Sequence, residues 1–237
     1  MTAVDPLYQI QVQCVCCERT FRTSRVRPSF KISAGRDADF CIHYKDPSIN
    51  PDYYVVRVCP YCGFASTENS KTRLTEKHKA EIREKITKHW PGKDYGGKRN
   101  WEDALDVYKL SLLCAQIVGE SERVIAGLLH HIAWLYRYKG DAEQEKRFLK
   151  YAKEAYVKVY EREADAVNNA RLMFIIGELS RRLKEYQDAV KWFNRVINDR
   201  NIMDSAMIQA SREQWRQTRE DMLADQLELP DEMKEPG

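Results

Sequence analysis

The chain has 237 residues, a formal net charge of +3 and seven cysteines. Its length fits one large or two smaller domains, and 43% hydrophobic with 11% aromatic residues supplies enough packing anchors to exclude a wholly disordered chain. No stretch approaches the roughly 20 apolar residues that a membrane span needs, and residues 1–11 lack the basic and apolar regions of a signal peptide.

The expectation is therefore a cytoplasmic protein with no membrane partner, in which reduced, clustered cysteines bind metal. Charge is uneven: residues 1–70 carry +1, residues 71–100 carry +6 and residues 101–237 carry −4. Arg22, Arg25, Arg27, Lys31 and Arg36 add a basic cluster near the N-terminus. Such clusters can contact anions or nucleic acid. The plainer reading is a solvated face.

Tyr8-Gln9-Ile10-Gln11-Val12-Gln13 alternates apolar and polar residues, the period of a half-buried strand, and runs into Cys14. Tyr53-Tyr54-Val55-Val56-Arg57-Val58 is aromatic and β-branched, reads as a second strand, and runs into Cys59. Each strand delivers two cysteines three residues apart, Cys14 with Cys17 and Cys59 with Cys62. In the second pair, Pro60 presets a turn and Gly63 tolerates positive φ. Four thiolates suit one structural Zn2+ ion in a closed tetrahedral shell. The alternatives are a disulfide or buried thiols without a ligand. Cys16, as a neighbour of Cys17, should point away from the ion. Cys41 and His43 form an alternative metal or thiol site, although a small buried thiol near a satisfied histidine is the simpler account. Arg36, Asp37 and Asp39 read as a polar network that holds the insert down, or as a surface site.

The combined pattern resembles the bacterial family called domain of unknown function 2225. The matching residues are Cys14, Cys17, Arg36, Asp37, Asp39, Phe40, Cys41, Tyr44, Pro51, Tyr54, Cys59, Pro60, Cys62, Gly63 and Ala65. Cys16 stands in place of an apolar residue and Glu18 in place of glycine. The resemblance implies a zinc-ribbon-like module joined to tetratricopeptide-like helices, and implies no activity.

Leu74, His78, Ile82, Ile86 and Trp90 recur every four residues, so a helix is expected, capped by Ser70 or Thr72. Residues 91–100 hold three glycines and read as a solvated linker. Helices follow over about 101–118, 122–139, 142–162, 165–183, 185–199 and 204–225. Two windows, one around Ile132 and Phe148 and one around Ile176, Gly177 and Phe193, resemble the tetratricopeptide pattern of small residues opposite large ones. The alternative is an ordinary antiparallel bundle. A concave repeat surface would be lined by His130, Trp134, Arg137, Arg171 and Arg181, or these residues simply pack. No nucleotide-binding or hydrolase motif is present.

The fold class expected is α+β. A small β-rich zinc-ribbon-like module (1–70) leads through a basic helix and Gly-rich linker (71–100) to an all-α tetratricopeptide-like antiparallel helical array (101–225), with a flexible tail (226–237). The function expected is a non-catalytic adaptor or scaffold with a protein or peptide partner. The alternatives are a nucleic-acid binder using the basic segments and a thiol or metal enzyme at Cys41 and His43. The sequence carries no signal for an oligomeric state.

Overall fold

The computed structural model describes residues 4–162 and 169–234. The chain forms two compact units, Met1–Asp37 with Cys41–Phe148, and Ala38–Phe40 with Leu149–Gly237.

The first unit opens with an antiparallel hairpin of β1 (Leu7–Gln13) and β2 (Thr20–Val26), in which Gln13 lies opposite Thr20. Alternation over the first half of β2 buries Phe21 and Thr23 and exposes Arg22, while Ser24 and Val26 are buried on the other face. A second hairpin, β3 (Ser33–Arg36) with β4 (Ile42–Tyr44), forms in the long insert. The strand expected over 53–58 is shorter. Asn50 caps Asp52 and Pro51 starts a 3-10 turn through Tyr54, so only β5 (Arg57–Val58) pairs, with β6 (Ala65–Ser66).

Helix α1 (Glu76–Lys85) follows, capped by Thr75 rather than by Ser70 or Thr72. The linker expected to be solvated is instead packed. Tyr95 and Arg99 are buried, and Ser24 Oγ donates to the Gly96 carbonyl at 2.7 Å. A Cβ at Gly96 would stand 2.5 Å from the Arg22 carbonyl oxygen, so only glycine fits there. Asn100 and Asp103 form a reciprocal capping box that starts α2 (Trp101–Ile117). Helix α3 (Glu122–Lys139) begins at the Ser121 cap and ends at Gly140, whose φ is 77°. Helix α4 (Ala142–Arg162) then begins.

One apolar core runs from Phe21, Val58, Phe64 and Ala65 through Ile82 and Ile86 to Ala104, Tyr108, Ile132 and Leu135. This continuity explains why the first boundary falls at Phe148 and not near residues 70 or 100. The short strands bury their apolar face on α2, and so few residues cannot bury it alone.

In the second unit, α5 (Ala170–Arg182), α6 (Tyr186–Asn198) and α7 (Ser205–Ala224) follow the rest of α4. The part of the expected fourth helix over 165–168 lies outside the described residues. Helix α5 is apolar nearly all round and buried from Leu172 to Ser180, as a central helix must be. A Cβ at Gly177 would stand 2.7 Å from the Phe193 ring, so this glycine lets α5 and α6 approach closely. The tail differs from the free segment expected, because α8 (Asp231–Lys234) carries a fully buried Met233 against Tyr186, Val190 and Met222. Among the described residues, no helix is long and apolar enough to cross a membrane. The chain is α+β.

Candidate metal centre

Both cysteine pairs occupy hairpin turns, the first between β1 and β2 and the second between β5 and β6. The turns repeat the same bonds. The Cys14 amide donates to the Arg19 carbonyl and the Cys59 amide to the Phe64 carbonyl, each at 3.0 Å. The Glu18 amide donates back to the Cys14 carbonyl at 2.8 Å and the Gly63 amide to the Cys59 carbonyl at 2.9 Å. Both closing residues are left-handed, with φ of 63° at Glu18 and 73° at Gly63. The amides of Cys16 and Cys17 point at the Cys14 sulfur, and those of Tyr61 and Cys62 at the Cys59 sulfur.

The four sulfurs lie within 4.8 Å of one another. The pairing is crosswise: Cys14 Sγ is 3.6 Å from Cys62 Sγ, and Cys17 Sγ is 3.6 Å from Cys59 Sγ. A disulfide needs about 2.0 Å. Sulfurs about 2.3 Å from one ion at tetrahedral angles stand about 3.8 Å apart, which these separations match. Cys14, Cys59 and Cys62 are buried and Cys17 is half-buried. The donor set and the near-tetrahedral edges therefore fit a metal ion.

Crowding sets the proton affinities of these thiols against one another. Hydrogen bonds from Cys14 and Cys62 draw the Cys59 thiol down to about 2. The bond to Cys59 pushes Cys14 up to about 12, and bonds to Cys14 and Cys16 raise Cys62. Four sulfurs crowded round one point share few negative charges among themselves. A cation at that point would let all four ionise.

Neighbouring elements hold the second turn. Thr87 Oγ1 donates to the Cys62 carbonyl and Trp90 Nε1 to the Pro60 carbonyl, each at 2.9 Å. A Cβ at Gly63 would stand 2.7 Å from the Trp90 ring and 3.0 Å from Ile86. The segment after α1 thus braces the centre, a role that the spacing of Ile86 and Trp90 suggested only as an apolar stripe. Lys79 Nζ reaches Glu18 at 2.9 Å on the first turn.

Cys16 stands beside the centre. Its thiol is half-buried, and the neighbouring Cys62 lowers its pKa below the ordinary thiol value. It remains outside the four-sulfur set. Cys41 is buried, with its thiol 3.5 Å from the Tyr138 hydroxyl, whereas His43 Nε2 lies 2.8 Å from Asp37 Oδ1. Cys114 is a core residue whose sulfur accepts from the Ala65 amide at 3.4 Å, and burial pushes its thiol up to about 12.

The polar residues of the insert act as anchors. In the first unit Asp37 pairs with Arg137 at 2.6 Å and with His43. In the second, fully buried Asp39 lies 3.6 Å from Arg182, and the Phe40 ring is 5.7 Å from Phe174. Phe40 itself has a φ of 70°.

The basic candidates separate. Arg25 and Arg57 share Glu68. Arg27 donates to the Asp5 carbonyl and covers the Tyr8 ring. Arg22, Lys31 and Arg36 are exposed.

Three of the five groove candidates lie in the first unit and two in the second. His130 and Trp134 are buried ring neighbours. Arg137 is held by Asp37 and Glu145. Arg171 covers the Phe40 ring, and Arg181 pairs with Glu178 and Asp221.

Two internal anchors carry no sequence signature. Arg99 is 2% exposed and donates to the carbonyls of Tyr53, Val56 and Tyr95. Tyr138 donates to Asp52 at 2.7 Å, and Tyr108 donates to the Asp52 carbonyl at 2.9 Å.

No curated protein and no solved structure matches the chain. A family model described as "Uncharacterized protein conserved in bacteria (DUF2225)" matches residues 7–218. With the paired turns and most of the chain inside that match, the protein belongs to this bacterial family.

Proposed function

We propose that the protein is a non-catalytic, cytoplasmic interaction adaptor whose cysteine centre holds one structural Zn2+ ion. Zinc is favoured because four thiolates in a tetrahedral arrangement suit an ion with no redox demand and leave no position for substrate. Bound there, the ion would contribute folding energy and fix both turns.

The observation that carries the adaptor reading is the pair formed by Tyr61 and Arg19. Tyr61 is 46% exposed at the tip of the second turn, and the Arg19 guanidinium lies 4.7 Å over its ring. Each residue leaves a turn fixed by the cysteine centre. Protein interfaces concentrate binding energy in such rigid Tyr and Arg side chains. The close approach of Gly177 to Phe193 further supports tetratricopeptide-like pairing of α5 with α6. The adaptor reading is tested by pull-down with the wild type, Tyr61→Ala and Arg19→Ala, each checked for metal content and melting temperature. Loss of the same partner from both folded variants supports it. Retention of every partner by both removes it.

Nucleic acid is the second reading. It rests on the same Arg19–Tyr61 stack, which can hold a base, and on the exposed Arg22. Titration with random DNA and RNA at low and high salt separates the two, because phosphate contacts weaken steeply with salt. The enzyme reading at Cys41 and His43 lacks comparable support, since those side chains have separate partners.

A further inference from the structure

A cavity of about 370 Å³ opens beside α3 in the first unit, far larger than packing of the protein on itself requires. Val55, Val124 and Leu128 line it with apolar surface, and Tyr108 and His131 add their rings to the lining. Exposed Asn69 and Ser121 make its mouth polar.

Gly127 lies in the interior of α3, where glycine is an unfavourable helix former. Nothing within 4 Å would meet a Cβ placed there. Neither a positive φ nor a close neighbour accounts for this glycine. Its effect is to leave the cavity clear.

His131 supplies the polar feature. Its Nδ1 is 2.8 Å from the Gly127 carbonyl oxygen. A carbonyl only accepts, so Nδ1 carries the hydrogen, and in the neutral ring Nε2 is left as an acceptor. The ring is fixed by stacking on Tyr108, centroids 5.6 Å apart, and by contact with Trp134 at 4.5 Å. Tyr108 is itself held by its bond to the Asp52 carbonyl. The acceptor is therefore pre-oriented in the lining of an apolar chamber. Chambers of a few hundred Å³ with one or two fixed polar groups are the usual form of small-molecule sites.

We propose that this cavity binds a small, largely apolar organic molecule bearing one hydrogen-bond donor, an N–H or O–H group that bonds His131 Nε2. The site is separate from the cysteine centre and independent of the adaptor reading.

Indole and indene make the test, because they share shape and only indole carries an N–H donor. Calorimetric titration of the metal-loaded protein should show saturable indole binding, with indene about tenfold weaker for loss of the hydrogen bond. The His131 Nε2 nitrogen resonance should shift with indole. Gly127→Leu should fill the chamber, weaken indole by about tenfold or more, and leave the melting temperature no lower, because leucine is the better helix former. Failure of indole to saturate, equal affinity for indene, or undiminished indole binding in folded Gly127→Leu protein overturns the proposal. The indole and indene comparison needs only the wild type, so it decides even if the variant fails to fold.

Discussion

Glu18 and Gly63 occupy the same position in two copies of one turn. Each closes a cysteine pair with a left-handed residue whose amide returns to the carbonyl of the first cysteine. One copy uses glycine and the other does not, and the difference has measurable consequences.

Glu18→Gly should raise the melting temperature by about 2–4 °C with metal content unchanged. The left-handed conformation strains glutamate and not glycine, while the exposed contact to Lys79 contributes little. Thermal unfolding by circular dichroism checks this. The opposite change, Gly63→Ala, should destabilise by about 2–4 kcal/mol, since it adds both strain and a clash with Trp90.

Metal analysis should find about one zinc ion per chain, released by chelation with loss of cooperative unfolding. Cys59→Ser should lower both metal content and melting temperature, whereas Cys41→Ser, outside the shell, should retain the ion. Two ions per chain, or none, would refute the assignment.

Glu178 has no exposed surface and accepts from both Arg181 and Arg182. Glu178→Gln should cost about 3 kcal/mol in urea unfolding, because Arg181 and Arg182 lose the buried charge they share and keep Asp221 and Asp39. Arg99→Lys should cost about 2 kcal/mol, as an ammonium cannot span the carbonyls that the guanidinium reaches.

Burial raises the pKa of Tyr44, Tyr108 and Tyr138 above the ordinary value near 10. The folded chain therefore holds these protons more tightly than the unfolded chain. The associated stability is fully present below pH 10 and is lost as pH rises beyond it. Urea unfolding should show a flat profile to about pH 9 and a decline above. Absorbance of tyrosinate should rise for these residues only with unfolding, and Tyr138→Phe should shallow the decline.

Much of this architecture is visible in the residues. The two cysteine pairs identify the centre because ligand spacing is local, and Gly63 marks its turn. The long helices are legible because apolar periodicity and caps such as Asn100, Ser121 and Gly140 act within a few residues. What escapes is contact between distant segments. Arg99 looks like part of a basic linker and is instead enclosed by carbonyls 43 and 46 residues away. Arg137 looks like a groove residue and is spent on Asp37, 100 positions earlier. Met233 lies in a polar stretch that composition alone makes a loose end.

The crosswise sulfur contacts join positions 48 and 42 residues apart, and the insert hairpin lies between them. During synthesis the first turn emerges as a half-site and must wait for Cys59 and Cys62 before any ion can be enclosed. Phe64 and Ala65 follow at once and belong to the same apolar core as α2. On the proposed zinc reading, ion capture and consolidation of the first unit would therefore be consecutive events on the growing chain. A cell short of the ion would accumulate chains with an open core, which proteases remove. Abundance of this protein, rather than its specific activity, would then report the metal supply.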